Sequence, residues 1–181
     1  MDKQEIGRAR EPIRIGQLEI HYLQDAGGGC EMGSFVLVVP PGSNVPPPHS
    51  HPGAEELIYV LEGTLRYTVG GTTRDLRAGE TMGTPRGVVH GFSNPHPSVA
   101  RALVVNTPDI GAGYFREVAE IAGAGGPPDR SKLIETMRRY GLVPAAPPPA
   151  RSRGCSPAHR RSSPRPIVRS CRCAPRVPMP R

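Results

Sequence analysis

The stretch His49-Ser50-His51-Pro52-Gly53-Ala54-Glu55-Glu56 runs straight into the apolar segment Leu57-Ile58-Tyr59-Val60-Leu61 and then Glu62-Gly63. In an extended chain, side chains two residues apart point to the same side. His49 and His51 therefore share a face if this stretch is a strand. Glu56 opens a second run in which Ile58 and Val60 share its face. Imidazoles and a carboxylate converging on one spot form the donor set of a divalent transition metal. A His-x-His pair alone is weak evidence, so the reading depends on a further donor.

That donor stands at position 90. Gly79-Glu-Thr-Met-Gly-Thr-Pro85-Arg-Gly87-Val-Val-His90-Gly-Phe-Ser-Asn94 reads as strand, tight turn, strand. Pro85 and Gly87 suit the turn, one by its fixed φ and the other by its freedom in φ. The β-formers Val88 and Val89 lead into His90.

Together the two blocks resemble the two motifs of the cupin superfamily. One is Gly, His-x-His, Glu, Gly; the other is Gly, Pro-x-Gly, His, Asn. The second block fits at Gly79, Pro85, Gly87, His90 and Asn94 with every spacing kept, and the first at His49, His51, Glu56 and Gly63. The first departs by one extra residue between Gly42 and His49, in the Pro46-Pro47-Pro48 loop. Glu55 competes with Glu56 for the role of carboxylate ligand, and the gap to Gly63 favours Glu56. The resemblance implies a jelly-roll β-barrel that binds one metal through His49, His51, Glu56 and His90.

Charge and length bound the rest of the chain. The 181 residues suit one domain with an appendage. The net charge of +7 is concentrated in residues 145–181, which hold nine arginines and no acidic residue. The first 144 residues carry 14 basic against 16 acidic side chains and are mildly acidic. That removes most of the electrostatic case for a specific nucleic-acid partner. Cys30 stands alone outside the tail, while Cys155, Cys171 and Cys173 lie within it, so a disulfide framework is not expected. Residues 1–17 carry scattered charges without the apolar core of a signal peptide, and no apolar run reaches the ~20 residues of a membrane helix. The expectation is a cytoplasmic protein without a membrane partner.

Short apolar runs separated by Gly and Pro indicate an antiparallel sandwich or barrel. They are Leu18–Leu23, Ser34–Val39, Gly63–Val69, Thr72–Leu76 and Val99–Val105, with Gly70-Gly71 as a hairpin signal. The unbroken run Ser34–Val39 suits a strand covered on both faces, and periodicity alone leaves a buried helix open. From Ala112 the period becomes helical. Tyr114, Phe115, Val118, Ile121 and Ala122 fall on one face. After Asp129, an N-cap, Leu133, Ile134, Met137 and Tyr140 form a second stripe that ends at Gly141. Both stripes read as packing surface rather than ligand contacts, on helices that pack outside the barrel or cover its edge or mouth. The organisation expected is an all-β barrel over 18–110, an N-terminal arm over 1–17, two helices over 111–144 and a disordered tail over 145–181. With nine prolines and nine arginines, the tail buries too little apolar surface to offset chain entropy. Its competing readings are an appendage without a role, a polyanion-binding arm, or a half-site for metal at Cys171-x-Cys173.

The donor set suits iron, nickel, manganese, copper, cobalt or zinc. Four protein ligands leave one or two positions open, which separates a working site from a structural one. Ile58, Val60 and Phe92, facing the same way as the ligands, would form an apolar pocket wall, whereas His21 and His96 are read as ordinary histidines. The body, including Thr107-Pro108 and the Tyr114-Phe115 helix, is similar to single-domain cupins often called quercetin-dioxygenase-like. The resemblance implies a metal-dependent, dioxygenase-like enzyme acting on a small molecule, with Glu56 as a general base. Non-redox isomerase, cyclase or lyase chemistry in the same site is the alternative, and a binding or sensing module without turnover the third. Pairing of barrels into a homodimer is a further implication of the resemblance.

Overall fold

The computed structural model describes residues 11–26, 30–43 and 47–145. Ten strands precede two helices. They are β1 (Ile13–Ile15), β2 (Leu18–Gln24), β3 (Gly33–Val39), β4 (His49–Ser50), β5 (Glu55–Glu62), β6 (Thr64–Val69), β7 (Thr72–Arg77), β8 (Thr81–Thr84), β9 (His90–Ser93) and β10 (Ala100–Thr107). Helices α1 (Ala112–Gly123) and α2 (Arg130–Arg139) follow, and a short β11 (Val143–Pro144) closes the described chain. The strands form two antiparallel sheets, ordered β1-β2-β3-β10-β5-β8 and β11-β4-β9-β6-β7. This is the all-β jelly roll with two helices that the resemblance implied.

Alternation explains why these runs form strands. On β3, Phe35, Leu37 and Val39 are buried, while Ser34, Val36 and Val38 on the other side are half-buried. The core fills from both sheets with Ile20, Leu37, Ile58 and Val60 on one side and Leu65, Tyr67 and Leu76 on the other. Three details differ from the sequence expectation. β1 lies inside the segment read as an arm and pairs with β2. Val88 and Val89 belong to the turn, so β9 starts at His90 itself. β3 packs one face only, because the apolar residues on its second face meet solvent instead of another layer. The Arg- and Pro-rich tail lies, apart from Ala145, outside the described residues.

The helices start and stop where local chemistry directs them. The Asp129 side chain accepts from the Ser131 and Lys132 amides at 2.9 and 3.2 Å, satisfying N–H groups that have no partner within α2. Gly141, at φ 77°, ends the helix, and the Leu142 amide turns back to the Met137 carbonyl at 2.8 Å. Leu142 is thereby buried against Tyr114 and Met137. No helix among the described residues is long and apolar enough to cross a membrane.

Two motif residues are structural. The Asn94 side chain donates to the carbonyls of Val39 and Ser98, both at 2.8 Å, and accepts from the His96 amide. Gly63 links β5 to β6 at φ 73°, and a Cβ there would lie 2.3 Å from the Val99 carbonyl oxygen. Both the backbone conformation and the close approach exclude a side chain. Gly63→Ala should therefore cost more than the ~1 kcal/mol usual for replacing glycine at positive φ, since a backbone atom must also move. A urea unfolding midpoint equal to that of the parent protein would contradict this.

Candidate metal centre

The two sequence blocks meet because β4 pairs with β9, with His49 directly opposite His90. The turn at Pro85–Gly87 fastens onto the first block, the Gly87 amide donating to the His51 carbonyl at 2.9 Å. His49, His51 and His90 are all buried, and each offers a ring nitrogen within 4.8 Å of the others. This three-histidine cluster is compatible with a metal ion.

Hydrogen bonds to backbone carbonyls settle which nitrogens face inward. His49 Nδ1 lies 2.9 Å from the Pro47 carbonyl and His90 Nδ1 3.2 Å from that of Val88. A carbonyl only accepts, so each Nδ1 carries the proton and each Nε2 presents its lone pair to the site. His51 Nε2 and His90 Nε2 are buried without any hydrogen-bond partner. Buried polar atoms normally find partners, and a cation at the centre would supply one to both.

Glu56, on β5 of the facing sheet, closes the arrangement. Its Oε1 lies 3.4 Å from His90 Nε2 and its Oε2 3.9 Å from His51 Nε2. Glu55, the competing carboxylate, is exposed on the opposite face and lies 3.6 Å from Arg86. Three residues not read from the sequence surround Glu56. The Tyr67 hydroxyl on β6 donates to Oε1 at 2.7 Å. Because its one proton goes there, the Thr84 hydroxyl, also 2.7 Å away, donates to Tyr67. The Asn106 amide reaches Oε2 at 3.5 Å, from the position on β10 directly opposite Glu56. The only sequence signal for Asn106 is a polar side chain in the inward register of an otherwise apolar strand.

Electrostatics follow from burial and from these contacts. Burial pushes the His49 imidazole down, and it takes His51 down to about 4. Burial acts the same way on His90, but the contact with Glu56 and its charge outweigh it and hold that ring above its ordinary value. For Glu56, burial would raise the carboxyl. The His90 contact, the charges of His90 and His51, and the Tyr67 hydrogen bond outweigh burial and hold it at about 2. The set at neutral pH is an anionic carboxylate among imidazoles, which fits a cationic guest.

His49 and His51 of the cluster, with Glu56, line a cavity of about 480 Å³. Ile58 and Phe92 line it beside His49, His51 and Glu56, whereas Val60 is fully buried in the core and does not reach it. The opposite wall is helical. Tyr114, Phe115 and Val118 of α1 and Leu133 and Met137 of α2 all line the cavity. The helical stripes are thus cavity lining as well as packing surface, a correction that follows from the helices covering the barrel mouth. Among the described residues, none that lines it is Lys or Arg. His21 and His96 lie apart from the cluster, beside Glu19 and Asp75 respectively.

The Cupin domain family model matches residues 35–106. Protein SchB of Streptomyces halstedii is 33% identical over 95 residues, covering 50% of this chain and 68% of its own. Germin-like protein subfamily 2 member 2 of Arabidopsis thaliana is 42% identical over 62 residues, 32% of this chain and 28% of its own. The chain spans roughly a third or less of the length of the germin-like relatives. The crystal structure of a predicted oxalate decarboxylase from Thermotoga maritima superposes with a TM-score of 0.51 at 24% identity, covering 60% of this chain and 97% of that one. That likeness concerns the fold alone.

Two outcomes are expected. Tyr67→Phe should weaken metal affinity on the order of 10–100-fold, the usual cost of losing a residue that orients a ligand. A chelator competition giving the parent affinity would show that Tyr67 does not position Glu56. For the metal-free protein, the unfolded His51 side chain titrates near 6.5 and the folded one near 4. Between those values the unfolded state binds the extra proton, so stability falls as pH drops through that window, by on the order of 3 kcal/mol from this ring. His49 acts in the same sense, while His90, raised in the fold, opposes it. Chemical denaturation of the metal-free protein at pH 7 and pH 4.5 measures the net loss.

Proposed function

This chain belongs to the cupin superfamily, and we propose that it is a metal-dependent enzyme acting on a small, largely apolar organic molecule by dioxygenase-like chemistry. The observation that carries this reading is the convergence of three histidine ring nitrogens and the Glu56 carboxylate, of which His49, His51 and Glu56 line an apolar cavity of about 480 Å³. A volume of that order suits a ligand of drug-like size, within the ~300–1,000 Å³ of typical pockets. His49, His51 and His90 would hold the metal, with Glu56 as a fourth ligand. A divalent metal there supplies Lewis acidity and, for iron, nickel, copper, manganese or cobalt, the electronic character that O₂ chemistry needs.

The remaining work falls to side chains of this chain. Glu56 is the general base in place of, and not in addition to, its role as fourth ligand, and its carboxyl, held at about 2 in the metal-free fold, makes it a weak one. One of its oxygens is tied by Tyr67, and the other, held by Asn106 at 3.5 Å, is the acceptor for a substrate proton. Ile58, Phe92 and the helical wall exclude water and orient the apolar body of the substrate. The same donor set also accepts zinc, and in that case the site supports isomerase, cyclase or lyase chemistry.

Elemental analysis of the purified protein should find about one equivalent of a transition metal per chain. His49→Ala and His90→Ala should each lose most of that metal while the far-ultraviolet circular dichroism of the barrel is retained. Full occupancy in both variants would remove the site assignment. Oxygen consumption with phenolic or diketone compounds would support the dioxygenase-like reading. A zinc-only protein inert to O₂ would move the assignment to non-redox chemistry.

A further inference from the structure

All five tyrosines of the chain lie within the described residues, and four of them have an evident destination for the hydroxyl. Tyr22 donates to Asp109 at 2.9 Å, Tyr67 to Glu56 at 2.7 Å and Tyr140 to Glu117 at 2.7 Å. Tyr59 is 39% exposed and meets water. Tyr114, in the first turn of α1, departs from this pattern. It is only 6% exposed, yet its hydroxyl has no hydrogen-bond partner among the described residues. A buried tyrosine hydroxyl ordinarily finds one. Burial alone pushes this phenol up to about 12, so it keeps its proton at neutral pH and can donate. Unlike His51 Nε2 and His90 Nε2, the oxygen is not sealed among protein atoms, and it borders space that a water molecule can enter.

Tyr114 is also one of the residues that line the cavity of about 480 Å³. The other polar side chains of that lining are accounted for. His49, His51 and Glu56 belong to the candidate metal centre, while Gln17 is exposed and Ser43 half-buried, both within reach of solvent. The Tyr114 ring is held in place by Phe115 and Tyr140, with centroids 5.0 and 5.6 Å away, and packs with Met137 and Leu142. A donor fixed in this way before a ligand arrives is what recognition requires. We propose that Tyr114 is a second recognition point of the cavity, its hydroxyl donating to an acceptor oxygen of a ligand whose other oxygen lies at the histidine cluster. The class of ligand is thereby narrowed to molecules that carry two oxygens held apart by an apolar body. The placement of the first oxygen rests on the metal-dependent reading above, and that of the second on Tyr114 alone. A guest with one oxygen leaves the phenol unpaired, and a buried group left unpaired is how a site rejects the wrong molecule.

The test compares the metal-loaded full-length chain with Tyr114→Phe, which removes one oxygen and keeps the ring. Because that oxygen has no protein partner, the urea midpoint should not fall, and a clear drop would make the hydroxyl structural and overturn the proposal. Binding is measured by titration calorimetry with 2,6-dihydroxynaphthalene and 4,4′-dihydroxybiphenyl, each beside its single-hydroxyl counterpart, 2-naphthol or 4-hydroxybiphenyl. The parent protein should prefer at least one diol to its counterpart. Tyr114→Phe should weaken that diol by about 5-fold, the scale of one net hydrogen bond, and leave the counterpart within about 2-fold. A parent protein without that preference, a variant that spares both diols, or equal losses for a diol and its counterpart would each overturn the proposal. His49→Ala separates this inference from the one beneath it. If His49→Ala weakens all four compounds and Tyr114→Phe weakens none, the metal-dependent reading stands and this one falls. If Tyr114→Phe weakens a diol selectively while His49→Ala changes nothing, the Tyr114 contact stands and anchoring at the metal falls.

Discussion

The Tyr67 hydroxyl donates to the Glu56 carboxylate from one sheet to the other and accepts from Thr84 in the same contact. The site's geometry depends on this link. Glu56 stands within 4 Å of two imidazole nitrogens. Without a fixed partner, the carboxylate could rotate onto whichever ring was protonated and collapse the centre into an ion pair. Tyr67 takes one oxygen out of that competition. Thr84 fixes the direction of the phenol proton, and Asn106 holds the second oxygen from the opposing position on β10. Three strands beyond the one that carries Glu56 therefore converge on a single carboxylate.

The polar cluster imposes a cost that the surrounding barrel must offset. A buried ring nitrogen without a partner forfeits its hydration, and two of the three histidines are in that position. The compensation is the apolar core built by alternation on both sheets, in which Ile20, Ile58, Leu65 and Leu76 are almost fully buried. Such an arrangement is stable enough to hold groups that would not choose to be together. Local rules of burial are broken at the cluster, where two ring nitrogens are buried without a partner.

Much of this was legible in the chain. Two-residue spacing put His49 and His51 on one face, and the Pro85–Gly87 turn positioned His90, because turns and strands are set by near neighbours. The alternation that separates Glu56 from Glu55 held for the same reason. Depth was not legible. Val60 has the parity of Glu56 and Ile58, yet it sits in the core beyond the cavity, since a period of two specifies a side of the sheet and not a distance from the metal. Tyr67, Thr84 and Asn106 were missed because each meets Glu56 only through sheet closure or strand pairing across long sequence separations. The helical stripes were visible, but a stripe reads the same over a solid core or over a hollow one.

The roof of the cavity has a consequence for how such a protein changes over time. The cluster end is assembled from β4, β5 and β9, whose residues are fixed by pairing, turn geometry and mutual hydrogen bonds. The helical wall comes from α1 and α2, the second of which is capped by Asp129 and ended by Gly141. Substitution at Val118, Leu133 or Met137 reshapes the space a guest must fill without touching a single imidazole. The histidine cluster and the helical part of the lining are carried by separate lengths of chain. The barrel can therefore keep its histidine cluster unchanged while the helices vary the shape of the cavity beside it.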